Sequence, residues 1–201
     1  MDAVRVALLR DVLAGTGWPD SARRFALALR ASVLPQGGGL LLLVGTERYE
    51  PWHLAAHLTD ESAWSGLPEL VPTLVRHRVA PGDPAHLAVG LGRIEAAGRR
   101  ETLLLVAPER PESGLLERVH DARRAGARVL TLDGGDPEVG SLAHESLAVG
   151  GTDDVDLDLV QHLVSAAAGE NGAPPARGRR TFRDRLARLA DQLTQPPPAG
   201  W

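Results

Sequence analysis

TLLLVAPERPESGLLERVHDARRAGARVLTLDGGDPEVGSLAHESLAV, residues 102–149, carries the reading on which the fold turns. Thr102–Val106 is an unbroken apolar run, the pattern of a strand buried on both faces rather than of a half-solvated one. Glu112–Ala125 follows with helical periodicity, and Gly126 is placed to end it. Arg128–Leu132 supplies a second strand and Leu147–Val149 a shorter one. A strand, a helix and a returning strand in this order predict parallel pairing through a right-handed crossover.

The same alternation extends in both directions. Upstream, PDSARRFALALRASVL at 19–34 sets Phe25, Leu29 and Val33 at helical spacing behind Pro19-Asp20-Ser21. Leu40–Val44 is a second doubly buried strand, bounded by Gly37-Gly38-Gly39 and Gly45. Pro51 then opens a helix that carries His53 and His57 four residues apart, on one face. Residues 71–80 allow a strand, and Pro84 to Ala97 predicts a helix apolar at Leu87, Leu91 and Ile94. Downstream, 153–168 reads as a helix whose first turn holds Asp153, Asp154 and Asp156, where the helix dipole favours negative charge. The expected class is therefore α/β, a doubly wound, flavodoxin-like parallel sheet flanked by helices and spanning residues 1–168. A Gly/Pro/Arg linker at 169–180 separates it from TFRDRLARLADQL. There Phe182, Leu186, Leu189 and Leu193 form one stripe of a C-terminal amphipathic helix at 181–194, ahead of a tail at 195–201. That helix is too short to stand alone in water and must dock, on its own domain, a sister subunit or a protein partner.

Composition removes several chemistries. The chain of 201 residues has no cysteine, so disulfides and thiolate metal sites are excluded. All 22 basic residues are arginine, which excludes lysine Schiff bases, hence pyridoxal phosphate, and the phosphate-loop lysine of nucleotide hydrolases. The triple glycine precedes a strand instead of joining strand to helix, so no dinucleotide fingerprint is present and no nucleotide is expected. A net charge of −4 argues against nucleic acid as the main partner. MDAVRVALLRDVLAG lacks the apolar core and cleavage site of a secretory leader, and no run approaches the ~20 apolar residues of a membrane span. A cytoplasmic protein is expected.

Residues 102–149 resemble the sugar isomerase (SIS) domain. Its members share the order of strand, phosphate loop, helix, a basic-x-G-A turn and strand, here with Arg124-Ala125-Gly126-Ala127 at the turn. Ser141-Leu142-Ala143-His144-Glu145-Ser146 stands for the element before the edge strand. With the N-terminal helix and GGGLLLLVGTE, the likeness to the phosphoheptose isomerase subgroup extends over 19–168. The resemblance implies an oligomer, dimer or tetramer, with a sugar-phosphate cleft completed between subunits. It also implies two anion-binding loops after the first and third strands, for which Thr46, Arg48, Arg110 and Ser113 are the candidate ligand residues.

Both loops depart from the family pattern. Hydroxyls and backbone N–H groups normally converge on the phosphate. Gly45-Thr46-Glu47-Arg48-Tyr49-Glu50 and Ala107-Pro108-Glu109-Arg110-Pro111-Glu112-Ser113 bring four glutamates and two prolines instead. A like charge a few ångströms from a phosphate costs about 1–4 kcal/mol, which Arg48 and Arg110 could offset as clamps. A binding or regulatory module without standard isomerase activity is the leading expectation. An active phosphosugar isomerase and an interaction scaffold acting through 181–194 are the alternatives.

The subgroup's helix after the first loop reads like H-F-A-E-E-L-T, and a late helix adds another histidine. His53-Leu54-Ala55-Ala56-His57-Leu58-Thr59 matches without a gap, with His57 where the family has its carboxylate, and His162 is the late candidate. The resemblance places His53, His57 and His162 at the family's metal-binding and proton-transfer positions, while the i, i+4 spacing makes His53 and His57 a two-point ligand set for a borderline metal such as zinc, which His162 and Asp158, also four apart, could complete. In an active enzyme His57 would be the base and His162 the acid. Spacing alone also fits a solvent-facing or hydrogen-bonded pair, and a metal-bound His57 has no lone pair left to act as a base. His77 and His120 are expected at the surface, and Asp133-Gly134-Gly135-Asp136 as a plain turn.

Overall fold

The computed structural model describes residues 11, 13–34, 39–150 and 155–170. The linker beyond residue 170, the helix expected at 181–194, the tail and Asp153-Asp154 lie outside them.

Five strands form one sheet: β1 (Leu40–Val44), β2 (Pro72–Val75), β3 (Glu101–Ala107), β4 (Arg128–Asp133) and β5 (Glu145–Ala148). All pairings are parallel, in the order β2-β1-β3-β4-β5. The chain order reverses between β1 and β3, and in doubly wound sheets that switch point opens a crevice at the strands' C-terminal ends. The loops after β1 and β3, those expected to bind a ligand, flank it.

Alternation along the strands feeds two cores, one on each face. Leu41, Leu43, Leu104, Val106, Leu130 and Leu132 pack against α1 (Trp18–Val33), α2 (Trp52–Ser65) and the last described helix. Leu42, Val44, Leu103, Leu105 and Val129 face the opposite layer. That layer is built from α3 (Gly92–Glu95), α4 (Ser113–Arg124) and α5 (Pro137–Leu142). The last helix, α6 (Leu157–Gly169), contributes Val160, Leu163 and Val164 to the first core. α4 ends at Gly126, whose φ of 101° is a backbone state that glycine adopts without steric cost.

One local expectation needs correction. Pro84 to Ala97 is not one helix. It is a 3-10 turn at Ala85–Leu87 and the single turn of α3, separated by a parallel bridge from Gly90 to Arg76. The Arg76 N–H bonds Val89 O at 2.8 Å and draws the segment alongside β2, and Gly90 and Gly92 weaken any continuous helix. The segment at 133–136 is a turn, as expected, and it is tied down by its own side chains. Asp133 is buried and accepts hydrogen bonds from Thr131, Ser146 and the Gly135 N–H. Asp136 then caps α5, an element absent from the sequence reading, by accepting from the Glu138 and Val139 N–H groups.

Candidate metal centre

α2 and α6 lie side by side on one face of the sheet, sharing Leu54, Leu58, Leu163 and Val164 in a common core. The i, i+4 spacing puts His53 and His57 on the flank of α2 turned to α6. Asp156 fixes the start of α6 by accepting from the Leu159 N–H at 2.7 Å, and His162 follows on the flank turned back to α2.

The three imidazoles converge. Ring centroids are 4.3 Å apart for His53 and His57 and 4.6 Å for each of these with His162. One ligand nitrogen from each lies within 4.8 Å of the others, and the Nε2 atoms of His53 and His57 are 2.9 Å apart, sharing one hydrogen. A tetrahedral zinc with bonds of ~2.0–2.1 Å needs nitrogens about 3.3 Å apart, so small side-chain adjustments bring the set into range. His57 and His162 are 8% and 7% exposed, whereas His53 opens to solvent.

Burial, followed by the charges of His53 and His162, pushes the His57 imidazole down to about 4. The ring is therefore neutral at pH 7, the form that ligates metal. His57 Nδ1 is buried with no hydrogen-bond partner among the described residues, an arrangement of the kind that costs about 1–3 kcal/mol. Three imidazoles without thiolate fit a borderline cation such as zinc and leave a coordination position for a ligand. Asp158 does not join them. Its carboxylate accepts from Tyr49 Oη at 3.1 Å and from Gln161 Nε2 at 3.1 Å, and it lies outside the converging group.

The crevice between the two loops holds a different chemistry. Thr46 is buried, and its hydroxyl donates across the switch point to the Glu109 carboxylate. Glu47 accepts from Arg78 at 2.8 Å. A hydrogen bond between Glu47 and Glu112 holds Glu112 above the usual carboxylate range and, with Arg78, holds Glu47 below it. Arg110 pairs with Glu138 on α5 at 2.6 Å. Arg48 is exposed beside Glu112, and Ser113 is exposed at the first position of α4. Gly45 admits the turn: a Cβ there would lie 1.8 Å from Tyr49 O. His77, expected at the surface, is half-buried with Nε2 2.9 Å from Gly45 O, so it braces this loop, while His120 is exposed. The sequence reading missed Tyr49 and Gln161, because no motif marks a hydrogen bond between residues 112 positions apart.

No family model matches the sequence, and no curated protein matches it. Solved structures do match the fold. NanR of Vibrio vulnificus, complexed with ManNAc-6P, is 13% identical with a TM-score of 0.50 over 96% of this chain and 73% of its own. A Salmonella typhimurium LT2 protein described as sugar-binding is 14% identical, also with a TM-score of 0.50, over 92% of this chain. The match covers 52% of that protein, so this chain corresponds to about half its length. The sugar isomerase domain of an RpiR transcription factor from Sphaerobacter thermophilus matches at 13% identity and a TM-score of 0.48, over 84% and 86% of the two chains. The likeness is one of fold, and it agrees with the sugar isomerase type of α/β architecture expected from residues 102–149. Among the described residues no helix is long and apolar enough to cross a membrane.

Proposed function

We propose that this chain is a carbohydrate-derivative binding or regulatory module of the sugar isomerase type, built around a zinc-class metal held by His53, His57 and His162. The convergence of those three rings from two helices carries the reading. A bound zinc would supply a Lewis acid able to polarise a sugar hydroxyl or carbonyl oxygen. The phosphate grip of a standard isomerase is replaced. Thr46 is engaged with Glu109, Arg110 with Glu138, and Glu47, Glu109 and Glu112 make the crevice acidic. NanR, with a sugar phosphate bound, supports sugar derivatives as the ligand class for this fold. As in the phosphoheptose isomerases it resembles, the chain assembles as a homodimer or tetramer.

The second reading is an active phosphosugar isomerase with His57 as base, His162 as acid and Arg48 and Arg110 as anion contacts. The close approach of the His57 and His162 rings favours it. Thermal unfolding with a panel of sugars and sugar phosphates, together with a turnover assay, on both zinc-loaded and chelator-treated protein tests both. A ligand present at 100 times its dissociation constant stabilises by ~2.7 kcal/mol. The proposal expects such a shift with at least one sugar derivative and no aldose–ketose turnover of any phosphosugar. Turnover establishes the second reading, and no shift with any compound contradicts both.

A further inference from the structure

Gln161, next to His162 on α6, is completely buried, and only half of its amide is satisfied. Nε2 donates to Tyr49 Oη at 2.8 Å, to Asp158 Oδ1 at 3.1 Å and to Leu157 O at 3.3 Å, while Oε1 has no partner among the described residues. A leucine would fill similar volume without the orphaned acceptor. The buried amide therefore makes sense through what it holds. Tyr49 is itself held from the other side: its backbone fills the space left by the absent side chain of Gly45, and its N–H bonds Thr46 O at 3.2 Å. Its hydroxyl reaches α6, donating to Asp158 and accepting from Gln161. Leu157, Asp158 and Gln161 span the first turns of α6, the stretch that sets the rotation and height of His162 relative to α2.

We propose that Tyr49 is a positioning residue for the three-histidine centre, locking the first turns of α6 to the loop after β1 so that His162 stays in register with His53 and His57. The inference rests on the metal reading and adds to it that the loop after β1, at the crevice, is mechanically tied to the third metal ligand. Loss of one outer support of a metal site typically weakens binding about 10–100-fold. Because Tyr49 acts through the helix rather than on an imidazole, the lower figure applies.

The test is zinc affinity of the full chain, measured by competition with a chromophoric chelator, together with the visible spectrum of the cobalt(II)-loaded protein. Tyr49→Phe keeps the ring and removes the hydroxyl. It is expected to bind zinc about 10-fold more weakly and to alter the cobalt spectrum, while chelator-treated protein keeps its circular dichroism. Should that variant fail to fold, Gln161→Leu, which removes one of the two hydrogen bonds joining Tyr49 to α6 and leaves the one to Asp158, is expected to show a smaller loss in the same direction. Wild type that binds zinc while the folded variant binds it equally well overturns this inference and leaves the metal centre standing. A lower thermal midpoint with unchanged zinc affinity does the same, since that is what a merely structural link gives. Failure of wild type to bind zinc or cobalt overturns the centre and this inference together.

Discussion

His57 shows how much one side chain's surroundings decide. Its ring is pressed between two other imidazoles and away from water, so the protonated form loses hydration and meets like charge. Its value falls from 6.5 to about 4 on folding, so between those limits the unfolded chain binds the extra proton. In chelator-treated protein the His57 contribution is thus level above pH 6.5 and turns destabilising as pH falls from 6.5 toward about 4. Denaturant midpoints at pH 7 and pH 5 should differ more in wild type than in His57→Gln, and an equal difference in the two proteins would count against this. The residue-level reading of the sequence was strongest here, since i, i+4 spacing and the H-x-x-x-H-L-T register both singled out His53 and His57. It was weakest for Asp158, whose spacing from His162 suits a ligand but whose carboxylate has a nearer claim in Tyr49 and Gln161.

At the scale of elements, the centre depends on two helices holding their relative positions. α1 helps from the opposite end of α6: Arg30 Nη1 donates to Ala168 O at 2.9 Å and to Glu170 O at 2.8 Å, satisfying carbonyls that a helix C-terminus leaves open. Gly169 admits Glu61 of α2 at that end, since a Cβ there would lie 1.9 Å from the Glu61 carboxylate. Arg30→Ala strands both carbonyls and should cost about 1–3 kcal/mol, read as a lower denaturant midpoint with an unchanged slope. An unchanged midpoint would mean that water caps α6 equally well. The doubly buried strands and α1, α2 and α4 were legible because apolar runs and helical periodicity are local signals. The segment 84–97 was not, because Leu87, Leu91 and Ile94 imitate helical spacing while the Arg76–Val89 hydrogen bond draws the chain toward the edge of the sheet. Nor was α5, which depends on Asp136 as a cap more than on any apolar stripe.

For the molecule as a whole, the parallel sheet puts the loops after β1 and β3 together at the switch point, whatever chemistry they carry. In this chain they carry glutamates tied to Thr46, Arg78 and to each other, and the metal-ligating capacity sits on the neighbouring helices. The sheet and the histidine positions could be anticipated because both follow from pattern and register. The pairing of Thr46 with Glu109 could not, since it arises only when the two loops face each other. If the amphipathic stripe expected at 181–194 docks on a sister subunit, removing residues 179–201 lowers the oligomer mass found by light scattering; an unchanged mass places its docking within one subunit or on another protein. The most direct test of the metal centre is elemental analysis of protein purified without a histidine tag, beside a His53→Ala/His57→Ala variant. The account predicts zinc approaching one atom per chain in the wild type and none in the variant. Equal metal content in the two would contradict it.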